Sequence, residues 1–215
     1  MHNRPQHIPA AELTATHDIQ AWEARLNREW PERMEVAQHL AAQIAPRLGP
    51  SSLIIELASG AGFLGAVVLR ALPAMRYIGF DSAPALVAYA AARLQALNVE
   101  QGGHAALGFR VADLAAPEWA MQLQERSEQP RAVVSLQSIH DLGDEAAQAA
   151  VYRRVRSVLA AGGMFAFADL LLEPDKPHPR RLPAERHIEL LRAAGFTDVR
   201  CTWQRGPFGC FVAVG

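Results

Sequence analysis

Three groups of residues in this chain have the types and spacing to do chemistry. The first is Gly60-Ala61-Gly62-Phe63-Leu64-Gly65, preceded by the apolar run Leu53-Ile54-Ile55-Glu56-Leu57 and followed by the helical pattern Ala66-Val67-Val68-Leu69-Arg70. Strand, glycine-rich loop and helix in that order grip nucleotide-like cofactors, because glycine lets the backbone approach the ligand and a helix N-terminus presents unpaired N–H groups. The second group is a set of acids: Glu56 inside the first strand, Asp81 after the apolar run 77–80 and Asp113 after the run 109–112. Ionised carboxylates accept hydrogen bonds from hydroxyl and amine donors, and strand C-termini are where open α/β sheets bind ligands. The third is His140-Asp141 in the loop Gln137–Gly143. Histidine is the side chain best suited to take up a proton near neutral pH.

The elements that must position these groups read as follows. Little periodicity marks residues 1–16, an arm. Asp18 is placed to cap a helix whose face carries Ile19, Trp22, Leu26 and Trp30, spaced by three and four residues. Pro31 suits the first turn of a second helix with the stripe Met34, Ala37, Leu40, Ala41, Ile44 and Leu48, ended by Gly49-Pro50. From residue 53 strands and helices alternate: strands at 53–57, 77–80, 109–112, 132–136 and 164–168, helices at about 62–71, after Pro84, at 114–126, after the capping residue Asp144, and around Ile188 and Leu191. Such alternation implies a parallel sheet with helices on both faces. Two last strands, 199–204 and 208–214, flank Gly206-Pro207 and read as a hairpin, so the last strand runs antiparallel to its neighbour. Residues 1–50 are therefore an arm and covering helices, and 51–215 one α/β domain.

Bulk properties exclude several classes. At 215 residues, half of them hydrophobic, the chain can build a full core. A net charge of -1 gives no broad footprint for nucleic acid. No run of 18 apolar residues is present, which argues for no membrane span and a cytoplasmic protein. Two cysteines, Cys201 and Cys210, lack metal-ligand spacing, as do the eight histidines, so no metal is expected.

Taken alone, GxGxxG also fits an NAD(P)-dependent oxidoreductase. Glu56 within the strand, the acids ending two further strands, and a terminal hairpin that leaves no room for a catalytic domain point elsewhere. In these respects the chain resembles the class I (Rossmann-like) S-adenosylmethionine-dependent methyltransferases over residues 51–215. Glu56-Leu57-Ala58-Ser59-Gly60-Ala61-Gly62 is similar to that family's first motif, with Ala58 where a glycine usually stands. Ala58 takes positive φ less cheaply than glycine. Leu159-Ala160-Ala161-Gly162-Gly163-Met164-Phe165 is similar to its turn into the fifth strand. The resemblance implies a seven-stranded mixed sheet of order 3-2-1-4-5-7-6 with strand 7 antiparallel and two N-terminal helices over the cleft. It implies S-adenosylmethionine as cofactor, cradled by Glu56, Ala58, Ser59, Gly60 and Gly62. Asp81, followed by Ser82, would take the ribose hydroxyls, Asp113-Leu114 the adenine, and Gln137 the cofactor or acceptor.

The reading is a methyltransferase, monomer or homodimer, acting on a small-molecule acceptor at oxygen, nitrogen or carbon. A non-catalytic binding protein of the same fold is the alternative. Individual residues keep two readings each. Glu56 either contacts the cofactor or holds the loop's N–H groups. His140 is a general base or lines the pocket; Asp141 orients it or begins the next helix. Trp22 and Trp30 are core residues or walls of the acceptor pocket. Arg28 and Arg33 are solvated, or one meets a carboxylate. Lys176, His178, Arg180 and Arg181 are solvated or recognise an acidic acceptor.

Overall fold

The computed structural model describes residues 16–124, 129–173, 175 and 178–215. Of the arm expected over 1–16 only Thr16 is described, and it begins a helix; the rest of the arm, the end of the helix expected over 114–126, and Lys176 lie outside the described residues. Seven strands form one sheet in the order β3-β2-β1-β4-β5-β7-β6. They are β1 (Leu53–Leu57), β2 (Arg76–Asp81), β3 (Ala106–Val111), β4 (Ala132–Leu136), β5 (Met164–Leu170), β6 (Asp198–Arg205) and β7 (Phe208–Val214). Strands β1 to β5 are parallel, and β7 is antiparallel to both β5 and β6. This is the expected sheet. Central strands β1, β4 and β5 are buried along their whole length, which is why they read as continuous apolar runs.

Helices α2 (Arg33–Ile44), α3 (Phe63–Ala71) and α4 (Pro84–Glu100) cover one face, and α5 (Glu118–Gln124), α6 (Glu145–Val158) and α7 (Ala184–Ala193) the other. The first helix, α1 (Thr16–Glu29), lays Ile19 and Trp22 on Ala61, Ala83 and Leu86, over the glycine loop. Alternate residues of β1 serve the two cores: Ile54 packs towards α2 and α3, Ile55 and Leu57 towards α5 and α6.

Several boundaries differ from expectation. Strand β3 starts at Ala106, three residues early. Gly102 and Gly103 at positive φ turn the chain, and the Asn98 side chain brackets Ala105 by bonds of 3.0 Å to its N–H and carbonyl, delivering residue 106 opposite Arg76. Strand β5 runs on to Leu170 because β7 keeps pairing with it, Asp169 opposite Gly209 and Leu170 opposite Phe208. Asp18 lies within the first turn of α1, not ahead of it. Pro31 sits in the turn before α2, whose buried face is Arg33, Val36, Ala37, Leu40, Ala41 and Ile44, while Met34 is 46% exposed. Ala37, Leu40, Ala41 and Ile44 of the expected stripe are buried, but at the N-terminal end Arg33 and Val36 face inward in place of Met34. Cys201 and Cys210 are free thiols on the paired strands β6 and β7.

Candidate functional site

At the carboxyl end of β1 the loop turns through Ala58, Gly60 and Gly62, with φ of 52°, 51° and 76°. Ala58 thus occupies the left-handed region that its side chain disfavours. Gly62 starts α3, and a Cβ there would stand 2.6 Å from Leu94 Cδ1, so the close packing of α3 on α4 requires glycine. Asp81, at the end of β2, ties the loop down: Oδ2 accepts the Gly60 N–H at 2.8 Å and Oδ1 the Ala83 N–H at 2.9 Å. The Ser59 N–H donates to the Phe80 carbonyl at 2.8 Å, whereas the buried Ser59 Oγ has no partner. Ser82 is exposed beside it. Asp113 is exposed with Oδ1 accepting from the Ala115 N–H, and Leu114 is buried with its carbonyl accepting from Trp119 Nε1.

Glu56 faces away from that rim. It is 2% exposed, and its carboxyl accepts the Tyr77 hydroxyl at 2.6 Å and the Gly65 N–H. Burial, together with the charge of Asp81, pushes its pKa up to about 8 against the opposing hydrogen bond from Tyr77.

The second cluster lies at the ends of β4 and β5. Gln137 turns the chain out of β4 at φ 56°, its N–H bonded to the Ala168 carbonyl. A 3-10 turn, Ile139–Leu142, then carries His140 back over the sheet. The Asp169 carboxylate receives three N–H groups: His140 Nδ1 at 2.6 Å, the His140 backbone at 2.7 Å and the Leu170 backbone at 2.9 Å. A carboxylate can only accept, so Nδ1 carries the ring proton and Nε2 is left as the acceptor. Burial alone would depress the His140 pKa, but the hydrogen bond and charge of Asp169, aided by Asp141, raise it overall. Asp141 lies in the same 3-10 turn, its Oδ1 3.5 Å from Nε2, and is two-thirds exposed. It does not begin α6; Asp144 does, accepting the Ala147 N–H at 3.0 Å.

Asp169 was absent from the expected site. Its signal was present all the same: an acid directly following an apolar run, the pattern that drew attention to Asp81 and Asp113.

Arg33 is not solvated. It is 7% exposed, with Nη1 on Gln137 Oε1 at 2.8 Å, Cζ 4.9 Å from the Phe63 ring centre and Nε without a partner. Burial pulls its pKa down to about 10, opposed by Glu23. Its guanidinium therefore sits where the start of α3 meets the end of β4. Arg28 is exposed. Trp22 closes over the loop, its Cη2 3.6 Å from where a Gly60 Cβ would be. Trp30 meets Phe208 edge-on at 6.0 Å and carries Arg181 Cζ 5.7 Å from its ring centre. The His178 ring stands 6.1 Å from that of His140. Trp30, Arg181 and His178 thus gather on the His140 side of the cleft, and Trp22, Gly60 and Asp81 on the other.

No protein-family model and no curated protein matches this chain. Solved structures do. A carbon methyltransferase, CurJ, superposes with a TM-score of 0.76 at 16% identity over 96% of this chain and 61% of its own. An O-methyltransferase family protein from Burkholderia thailandensis gives 0.68 at 17% identity, over 93% and 60%. The fold is that of the class I methyltransferases. Magnesium protoporphyrin IX methyltransferase from Synechocystis, solved with bound SAH, shares it with a TM-score of 0.63 at 16% identity, over 85% of this chain and 82% of that one. This chain spans only about three-fifths of the first two proteins' lengths. Within the methyltransferase fold its glycine loop, Asp81 and the His140–Asp169 pair all lie at the carboxyl ends of parallel strands. Among the described residues no helix is long and apolar enough to cross a membrane.

Proposed function

We propose that this chain is an S-adenosylmethionine-dependent methyltransferase that acts on a hydroxyl group of a small molecule. The observation that carries the reading is the His140–Asp169 pair, His140 in the turn after β4 and Asp169 near the end of β5, which leaves Nε2 unprotonated and able to accept a proton. The chain's donors and acceptors fit the cofactor. Asp81 retains lone pairs beyond its two N–H bonds and suits the ribose hydroxyls. Ser59 Oγ and Arg33 Nε are buried polar atoms with no protein partner, as expected where a polar ligand completes the shell. Asp113 and the Leu114 backbone suit the adenine, and Gln137 with Arg33 the amino-acid end. Glu56, satisfied by Tyr77 and Gly65, holds the loop from beneath.

The cofactor supplies an activated methyl group on a sulfonium. The residues of the chain then have two tasks: to orient the acceptor, which is where most of the acceleration of such a transfer lies, and to receive its proton. His140 Nε2 takes the hydroxyl proton, and Asp169 stabilises the resulting imidazolium and fixes the ring. A raised His140 pKa means that turnover increases with pH through an acid limb lying above the ordinary imidazole value.

Calorimetry with adenosylhomocysteine tests the cofactor assignment. Wild type should bind it, and Asp81→Ala should bind about 10–100-fold more weakly, as expected for losing charged hydrogen bonds. Stabilisation by NAD alone, or no binding of either, would sink the assignment. Turnover, read as adenosylhomocysteine released from adenosylmethionine in the presence of a panel of small phenols and hydroxy acids, should fall about 10²–10⁴-fold in His140→Ala, the usual contribution of a general base, with adenosylhomocysteine affinity unchanged.

A further inference from the structure

Among the described residues two arginines near this site form no ion pair, although the charge of Glu23 reaches Arg33. Ion pairs among the described residues engage Arg93, Arg186, Arg200 and Arg205; none engages Arg33 or Arg181. They stand in different halves of the cleft. Arg33 is held by Gln137 over Phe63, on the cofactor's side. Arg181 lies on the acceptor's side, its guanidinium over the Trp30 ring and its Nε buried without a hydrogen-bond partner. Its charge acts on both His178 and His140. A guanidinium half-withdrawn from water without a counter-charge is costly, and its fork of donors matches a carboxylate in two parallel bonds.

The segment that carries Arg181 is anchored. The buried Gln148 side chain donates from Nε2 to the Arg180 carbonyl at 2.7 Å and to the Gly143 carbonyl at 3.2 Å, and the Leu172 N–H donates to the Leu182 carbonyl at 3.1 Å. The Trp30 face holds the guanidinium plane. His178 adds no second full charge, because burial and then Arg181 and His140 lower its pKa. Arg180 and the Asp141 carboxylate also act on His178, with opposite signs, so what singles out Arg181 is that its guanidinium is held against Trp30, where its fork of donors suits a carboxylate.

We infer that the acceptor is a small hydroxy acid, whose carboxylate is bound by Arg181 while its hydroxyl lies at His140 Nε2. This rests on the methyl-transfer reading above. It makes Arg181 a residue of acceptor specificity and Trp30 its support.

The test uses probe pairs that share ring and hydroxyl and differ only in charge: 4-hydroxybenzoate against 4-hydroxybenzamide, and 4-hydroxyphenylacetate against its amide. Each is titrated calorimetrically into the full chain, with and without saturating adenosylhomocysteine. In wild type at least one acid should bind at least about tenfold more tightly than its amide, the factor that about 1.4 kcal/mol gives. Arg181→Gln should abolish that preference and leave amide affinity in place. Arg181→Lys, which keeps the charge but loses the fork, should retain part of it. Should Arg181→Gln fail to fold, the Lys variant decides: an undiminished preference overturns the inference. Equal binding of acid and amide by wild type, no binding of any acid, or equal losses for acid and amide in Arg181→Gln would also overturn it. If adenosylhomocysteine does not bind at all, the methyl-transfer reading fails, while the acid–amide difference measured without it still decides the role of Arg181.

Discussion

Glu56 and Asp169 are both acids buried inside strands that flank β4, 2% and 0% exposed, yet their surroundings give them opposite behaviour. Glu56 meets a phenol hydroxyl and one backbone N–H, and burial drives its pKa up to about 8, so it holds a proton at neutral pH. Tyr77 cannot relieve it, because burial and the adjoining carboxyl push the phenol further from ionisation. Asp169 meets three N–H donors, one of them on the His140 ring, whose pKa its hydrogen bond and charge raise against burial. The same functional group at similar depth thus holds a proton under the glycine loop and fixes the proton of an imidazole ring beside β4. What a buried carboxyl faces, more than how deeply it lies, decides between the two.

The contrast can be broken most forcefully at Asp169. Asp169→Asn keeps an oxygen for Nδ1 but removes the charge. It should cost about 10²–10⁴-fold in kcat, the usual range for general-base catalysis, and move the acid limb of the kcat profile to lower pH as the His140 pKa falls. A pH profile that stays in place would show that Asp169 does not set the ring's proton affinity.

The next largest effect lies at Glu56 and is read in stability. Its pKa in the folded protein, about 8, exceeds the value of 4.5 it has when unperturbed. The native state therefore keeps a proton that the unfolded chain has lost, and stability falls as pH rises from about 4.5 to about 8. Glu56→Gln, which cannot ionise, should lack that fall. At pH 8 it should melt at least about 2–4 °C above wild type, the shift worth 1 kcal/mol in a chain of this size, and the gap should narrow towards pH 5. Parallel melting curves for the two proteins across that range would mean that Glu56 is ionised in the fold.

The smallest effect concerns Ala58, in the turn that Glu56 underlies. At φ 52° the side chain costs about 1–2 kcal/mol, and glycine relieves this at the expense of a more flexible unfolded chain. Ala58→Gly should raise stability by up to about 1 kcal/mol in denaturant titrations. A loss of stability would mean that the methyl group contributes more by packing than it costs in strain.

Much of the fold was legible because its signals are local. Apolar runs at β1 and β4, Asp144 ahead of α6 and Gly206-Pro207 between the last strands each state their structure within a few residues. The glycine turn and Asp81 were legible for the same reason. What was missed depends on distant pairing. Asp169 follows the apolar run 164–168, and only the antiparallel partner β7 carries β5 past it; His140 is 29 residues away in sequence. Tyr77 read as one more apolar strand residue until Glu56 proved to be its partner across β1 and β2. Arg33 keeps two readings in the sequence, solvated or facing a carboxylate, because a charge at a helix start is ordinarily solvated; its burial depends on Gln137, 104 residues away, and on the Phe63 ring.

Gln148 bears on how this architecture can change. It fastens the acceptor-side segment through the carbonyl oxygens of Gly143 and Arg180, atoms that every amino acid possesses. The attachment therefore makes no demand on side-chain identity along residues 178–182. That stretch can exchange its side chains while the loop stays docked and the His140–Asp169 pair keeps its geometry. On the proposed reading, recognition and chemistry are joined by a clasp that is blind to sequence, which lets the one diversify without disturbing the other.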